Sequence, residues 1–312
     1  MAVSRPSVVA FSLLVAAGAV LLPLEPALAF VPFAVSVPVL GLPHGAVDEL
    51  VPYWMGELDL YRSVGAVFAL YFPLMAAYVL SWVAFPVPSL VFFLGLTVYH
   101  WGQGDLFHLL DRGASHLRNR SEKALALVVR GSVPVLAPML FFPDRYAEAA
   151  GFVAGSAGLS SLPSLGYVYA GMAALGLTLF YAAYLLAVKD WNAGLRLDLS
   201  ELGVLWLGFA LVPPVLSVGV YYIVWHSLRH SERLLDIQGR DSSARSLAVL
   251  HGQAVPMVVL SLPLLAVMYL VLPVSGLGLR ELLGFFLVVI SVLTLPHTVL
   301  VTYMDLRQGV WG

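Results

Sequence analysis

Apolar residues run along this chain in long, nearly unbroken blocks. They lie near 7–24, 28–47, 63–84, 87–110, 123–142, 164–188, 201–228, 249–273 and 281–303. Short polar stretches separate most of them, among them DRGASHLRNRSEK, PDRYAEAAG, KDWNAGLRLDLSE and SERLLDIQGRDSSARS. A helix needs about 20 apolar residues to cross a bilayer. In lipid the backbone must satisfy its own hydrogen bonds, which leaves helices or a closed barrel. Blocks this long and uniformly apolar predict helices. The expected fold is an all-α integral membrane protein, with residues 1–312 forming a single polytopic domain.

Composition agrees. Of 312 residues, 60% are hydrophobic and 11% charged, against roughly 25% charged in soluble domains. The formal net charge of -2 and the lack of a basic tract give no sign of a nucleic-acid partner. There are no cysteines, so disulfides, thiolate metal sites and cysteine nucleophiles are excluded. The first block follows Arg5, and Ala27–Ala29 resemble a signal cleavage site. The next block begins almost at once, so the first helix is expected to be retained.

Charge predicts topology. Arg112, Arg118, Arg120 and Lys123 cluster in one loop, and Arg229, Arg233, Arg240 and Arg245 in another. Both should be cytoplasmic, yet three apolar blocks lie between them. One must then fail to cross. Pro134, Pro138 and Pro143 point to a broken or re-entrant segment near 123–158. About eight crossings would remain, in the cell membrane, with both termini cytoplasmic.

Eight histidines occur, and five fall toward this same face: His44, His100, His226, His230 and His297. Ionisable groups inside a membrane are costly and mark functional sites. His226 and His230, in WHSLRH, are four apart and share a helix face. Two imidazoles from other helices, His44 and His100, would close a metal site. All-imidazole ligation suits iron, copper, zinc or nickel. Asp48, four residues after His44, is a candidate supporting group, and His297 is a further ligand or supporting residue. His108, His116 and His251 are expected to be ordinary hydrogen-bonded residues. Tyr99, Trp101, Tyr221, Tyr222 and Trp225 neighbour the histidines in sequence and are candidate walls of an apolar substrate tunnel.

The motifs GLPHGAVDEL, YHWGQGDL and WHSLRH resemble the histidine motifs of the Brp/Blh family, membrane-bound β-carotene 15,15′-dioxygenases. The likeness runs from His44 to His297 in order, spacing and hydropathy. It implies cleavage of the central double bond of β-carotene by O2, giving two all-trans-retinal at an Fe(2+) site. The family's four iron-binding histidines match His44, His100, His226 and His230. By the same analogy, retinal would pass to a microbial rhodopsin in the same cell. An opsin would need a lysine inside a late helix, and neither of the last two blocks has one. A di-iron hydroxylase or desaturase would need more HxxxH boxes than the one present. The alternative from another class is a proton-coupled or metal-ion transporter using intramembrane histidines.

Overall fold

The computed structural model describes residues 4–21, 31, 42–156, 165–272, 276 and 278–312. Most of the 28–47 block and the Ala27–Ala29 stretch lie outside the described residues. Among those described, all regular structure is helical. The chain runs through α1 (Ser4–Leu21), α2 (Leu42–Gly45), a 3-10 turn (Asp48–Leu50), α3 (Val51–Trp54), α4 (Leu60–Ala84) and α5 (Pro86–Asp111). It continues through α6 (Arg120–Phe141), α7 (Pro143–Ser156), α8 (Leu165–Val188) and α9 (Ala193–Leu211). Then come α10 (Pro214–Val220), a π-helical segment (Tyr221–Ser227), α11 (Leu228–Ile237), α12 (Ala244–Val271) and α13 (Leu279–Arg307).

The polar stretches start helices as their chemistry dictates. Side-chain oxygens of Asp59, Asn119, Asn192 and Ser243 accept from the backbone N–H three residues on, capping α4, α6, α9 and α12. Five described helices are long and apolar enough to cross a membrane: α4, α6, α8, α12 and α13. That measure does not reach the expected eight. Helices α5 and α9 have the length but bury polar side chains, including His100, Gln103, Asp105, Asp198 and Glu201.

The expected break falls within 123–158, at Pro143 rather than at Pro134 or Pro138. Pro134 and Pro138 sit inside α6, which runs unbroken for 22 residues. The chain breaks instead at Phe142, before Pro143. A second break at Val212–Pro213 divides the 201–228 block into α9 and the limb formed by α10, the π segment and α11. Pro213 and Pro214 lack the N–H groups that would continue α9. Between the loop after α5 and the loop after α11 the chain runs through α6, α7, α8, α9 and the α10–α11 limb.

Contacts fix the directions. Lys189, just past α8, pairs with Glu122 at the start of α6 at 2.5 Å. Gly194, opening α9, packs on Ala114 in the loop after α5. At the opposite face Phe141 meets Trp206, with ring centroids 6.2 Å apart. Arg233 on α11 pairs with Asp305 near the end of α13 at 2.9 Å. Lys123 reaches the carbonyl oxygens of Val310 and Gly312. Helix α1 lays Phe11 on Trp225 and Gly18 on Leu216, so its described start points toward that loop face too.

Helices α5 and α6 touch backbone to backbone. A Cβ on Gly131 would collide with the Val98 carbonyl oxygen, and one on Gly102 with that of Leu127. Small residues at such a crossing bring two helix axes close. The contact holds α5, with His100 and Asp105, against α6, with Arg130.

Arg130 is wholly buried and pairs with Asp105 at 3.1 Å, Asp198 at 2.8 Å and Glu201 at 2.5 Å. Arg229 shares Asp105 at 3.2 Å and Glu201 at 2.7 Å. His116 and Tyr181 both hydrogen-bond Asp198. A buried charge is tolerable only when paired and hydrogen-bonded. This network ties α5, α6, α8, α9 and α11 together on the loop side of the histidines.

Candidate metal centre and apolar cavity

Each histidine of the centre comes from a separately positioned element. His44 lies on α2, His100 on α5, His226 near the end of the π segment, His230 on α11 and His297 on α13. The wider π turns, common at functional sites, lead into α11 with Tyr222 stacked on His226 at an interplanar angle of 14°. Trp225 Nε1 donates to Asp105 Oδ1 at 2.9 Å, and the Arg229 guanidinium lies 3.9 Å from the Trp225 ring centre. The residue before His226 is thus held by the ion-pair network.

The five rings converge. His100 lies 4.7 Å from His226 and 4.8 Å from His297, centroid to centroid. His44 lies 5.5 Å from His226, 5.6 Å from His230 and 5.2 Å from His297. His230 lies 5.1 Å from His297. Ligand atoms of His44, His100 and His297 come within 4.8 Å of one another. All five histidines are buried.

Both ring nitrogens of His100, and Nε2 of His226, His230 and His297, have no hydrogen-bond partner. Leaving so many buried acceptors or donors unmade is costly. Neutral imidazole is also the commonest side-chain metal ligand. The donor set therefore fits a borderline divalent cation such as Fe(2+). His297 Nδ1–H donates to Asp48 Oδ2 at 2.6 Å, and Tyr71 donates to the same oxygen. A carboxylate behind one nitrogen fixes the tautomer and leaves the other nitrogen's lone pair free for a metal.

Four of the five histidines, all but His230, open onto a cavity of about 560 Å³. Its walls are mostly apolar and include Val67, Phe68, Met75, Leu90, Leu94, Val218, Leu264, Leu287 and Ile290. His44, His100, His226, His297, Asp48, Trp101 and Tyr222 also line it. The other aromatic candidates lie elsewhere. Tyr99 is partly exposed and meets Thr302, while Tyr221 and Trp225 are wholly buried in a cluster with Phe11 and Phe209. His116 pairs with Asp198, and His251 hydrogen-bonds the Leu247 carbonyl.

One titration outside the helical spans stands out. Burial pushes the Glu49 carboxyl up to about 7; its own backbone opposes this and Asp48 adds to it. Glu49 lines the same cavity.

Residues 35–305 match the family model described as "Beta-carotene 15,15'-dioxygenase". That range contains all five clustered histidines. The chain belongs to the β-carotene 15,15′-dioxygenase family. It is 36% identical over 303 residues to "Probable beta-carotene 15,15'-dioxygenase Blh" of Halobacterium salinarum, covering 92% of this chain and 87% of the relative. It is 31% identical over 229 residues to "Probable beta-carotene 15,15'-dioxygenase Brp" of the same species, covering 64% and 62% respectively. No solved structure matches the chain.

In this family member, sequence reasoning overlooked Tyr71 and Arg130. A signal for the latter existed. An arginine in the apolar run LALVVRGSVPV, always charged, is more costly in a membrane than a histidine, which can be neutral.

Proposed function

We propose that this chain cleaves the central 15,15′ double bond of β-carotene with O2, giving two all-trans-retinal. In this reading His44, His100, His226 and His230 hold Fe(2+), and His297, backed by Asp48, completes the ring of imidazoles. The observation that carries it is the cluster of five buried imidazoles, of which His100, His226, His230 and His297 carry unpartnered nitrogens and all but His230 line an apolar cavity. When bound, Fe(2+) would supply the O2 chemistry, which side chains alone cannot.

The chain's own part is binding, orientation and exclusion of water. The apolar walls take up a hydrocarbon polyene from the bilayer, with Trp101 and Tyr222 beside the histidines. The Arg130–Asp105–Arg229 network seals the loop side, away from bulk water. Asp48 holds the proton on His297 Nδ1 and keeps Nε2 turned inward. An ion- or proton-translocating path would want polar walls, so the apolar lining favours the oxygenase over a transporter.

The whole chain forms one multi-pass domain of the cell membrane in this account. The loops after α5 and α11, the described start of α1 and the end of α13 share one face, assigned as cytoplasmic by the arginines outside the buried network, among them Arg118, Arg240 and Arg245. Reporter fusions after residues 115 and 238 should read the same side; opposite sides would contradict the assignment. Retinal leaving into the bilayer would suit an opsin in the same membrane.

The test is expression in bacteria that accumulate β-carotene, beside a His226→Ala variant, with chromatography of the pigments. Retinal from the parent and none from the variant is expected. Unchanged β-carotene with parent protein present in the membrane would overturn the reading.

A further inference from the structure

A second hollow, of about 480 Å³, adjoins the histidine cavity. It lies between α5, α6 and α8 and is lined by Gly95, Val98, Leu136, Met139 and Ala170 among others. Val91, Leu94 and Tyr167 belong to the walls of both hollows. Val91 is 64% exposed, so the second hollow reaches the outer, lipid-facing surface. On the inner side Tyr167 rests on Tyr146, ring centroids 5.3 Å apart, and both rings line the histidine cavity. Val91, Leu94 and Tyr167 thus border both spaces.

Cutting a polyene at its middle imposes a geometric demand. The substrate must extend as far on one side of the reacting bond as on the other. The inner cavity has the size of a pocket for a drug-sized ligand, about 300–1,000 Å³, while a C40 hydrocarbon is much longer than such ligands. Apolar space continuous with the inner cavity is what its far end requires. A swing of the Tyr167 ring, about its own side-chain bonds, would join the two hollows without moving a helix.

Resting on the proposed reaction, we infer that the outer hollow is a second half-site for one terminal ring of the carotenoid, with Tyr167 controlling the passage. Tyr167 is then a specificity-determining residue that reads polyene length.

The experiment uses the purified full chain in one detergent, with two substrates. One is β-carotene. The other is a C30 apocarotenal shortened at one end that keeps the central bond. Tyr167→Trp should lower kcat/KM for β-carotene by about ten-fold or more, the scale of a steric mismatch in an apolar pocket, and for the shortened substrate by less than about two-fold. His251→Ala, outside both hollows, should leave both unchanged. Val91→Phe, a change on the exposed part of the shared wall, should reproduce the split should Tyr167→Trp fail to fold. Equal losses on both substrates, or no loss on either, would overturn the inference while the reaction itself stands. Parent protein that cleaves neither substrate would instead remove the reading beneath it.

Discussion

His297 Nδ1 donates to Asp48 Oδ2 across 2.6 Å, joining α13 to the turn that follows His44. Two residues 249 positions apart in sequence thereby share one proton arrangement. The bond engages Nδ1 and leaves Nε2, buried and without a hydrogen-bond partner, as the ring's free nitrogen. Asp48→Asn keeps the shape but loses the acceptor charge. Iron affinity, measured by competition with a chelator, should fall about 10- to 100-fold, the usual cost of losing such a support. Unchanged affinity would mean that Asp48 serves only packing.

Arg130 is the hub of the buried ion-pair network. Arg130→Met would leave Asp105, Asp198 and Glu201 short of a partner. Removing one member of a buried pair costs about 3–5 kcal/mol. The variant should melt at markedly lower temperature in detergent or fail to accumulate in the membrane. Melting within a degree or two of the parent would show that the carboxylates find other partners.

Much of the site was legible because histidine is conspicuous among apolar residues. His44, His100, His226, His230 and His297 were singled out on that ground, and the structure draws all five together. Side-chain direction was not legible. Tyr221 and Trp225 neighbour the histidines in sequence but turn into the core with Phe11. Helix breaks were only half legible. Proline signals a lost donor, yet Pro134 and Pro138 are absorbed within α6, while Pro213–Pro214 ends a helix. Only the neighbouring helices decide between those outcomes, and a single sequence does not reveal them.

Glu49 gives stability a predictable pH dependence. Its native carboxyl titrates near 7, above its ordinary value of 4.5. Below 4.5 both folded and unfolded chains hold the proton, and Glu49 has no effect. Between 4.5 and 7 the unfolded chain releases it while the native chain keeps it. Native stability therefore declines as pH rises through that window. Glu49→Gln removes the titration. The gap in melting temperature between variant and parent should widen in the variant's favour from about pH 5 to about pH 8. A gap that stays constant, or shrinks, would contradict the assignment.

The most direct measurement takes iron and product from the same preparations. Parent, His100→Ala and His251→Ala proteins would be purified from cells making β-carotene, with iron per chain and retinal per cell determined for each. The account predicts bound iron and retinal for the parent and for His251→Ala, and loss of both for His100→Ala. Full iron and full retinal in His100→Ala would contradict the placement of the metal among these histidines.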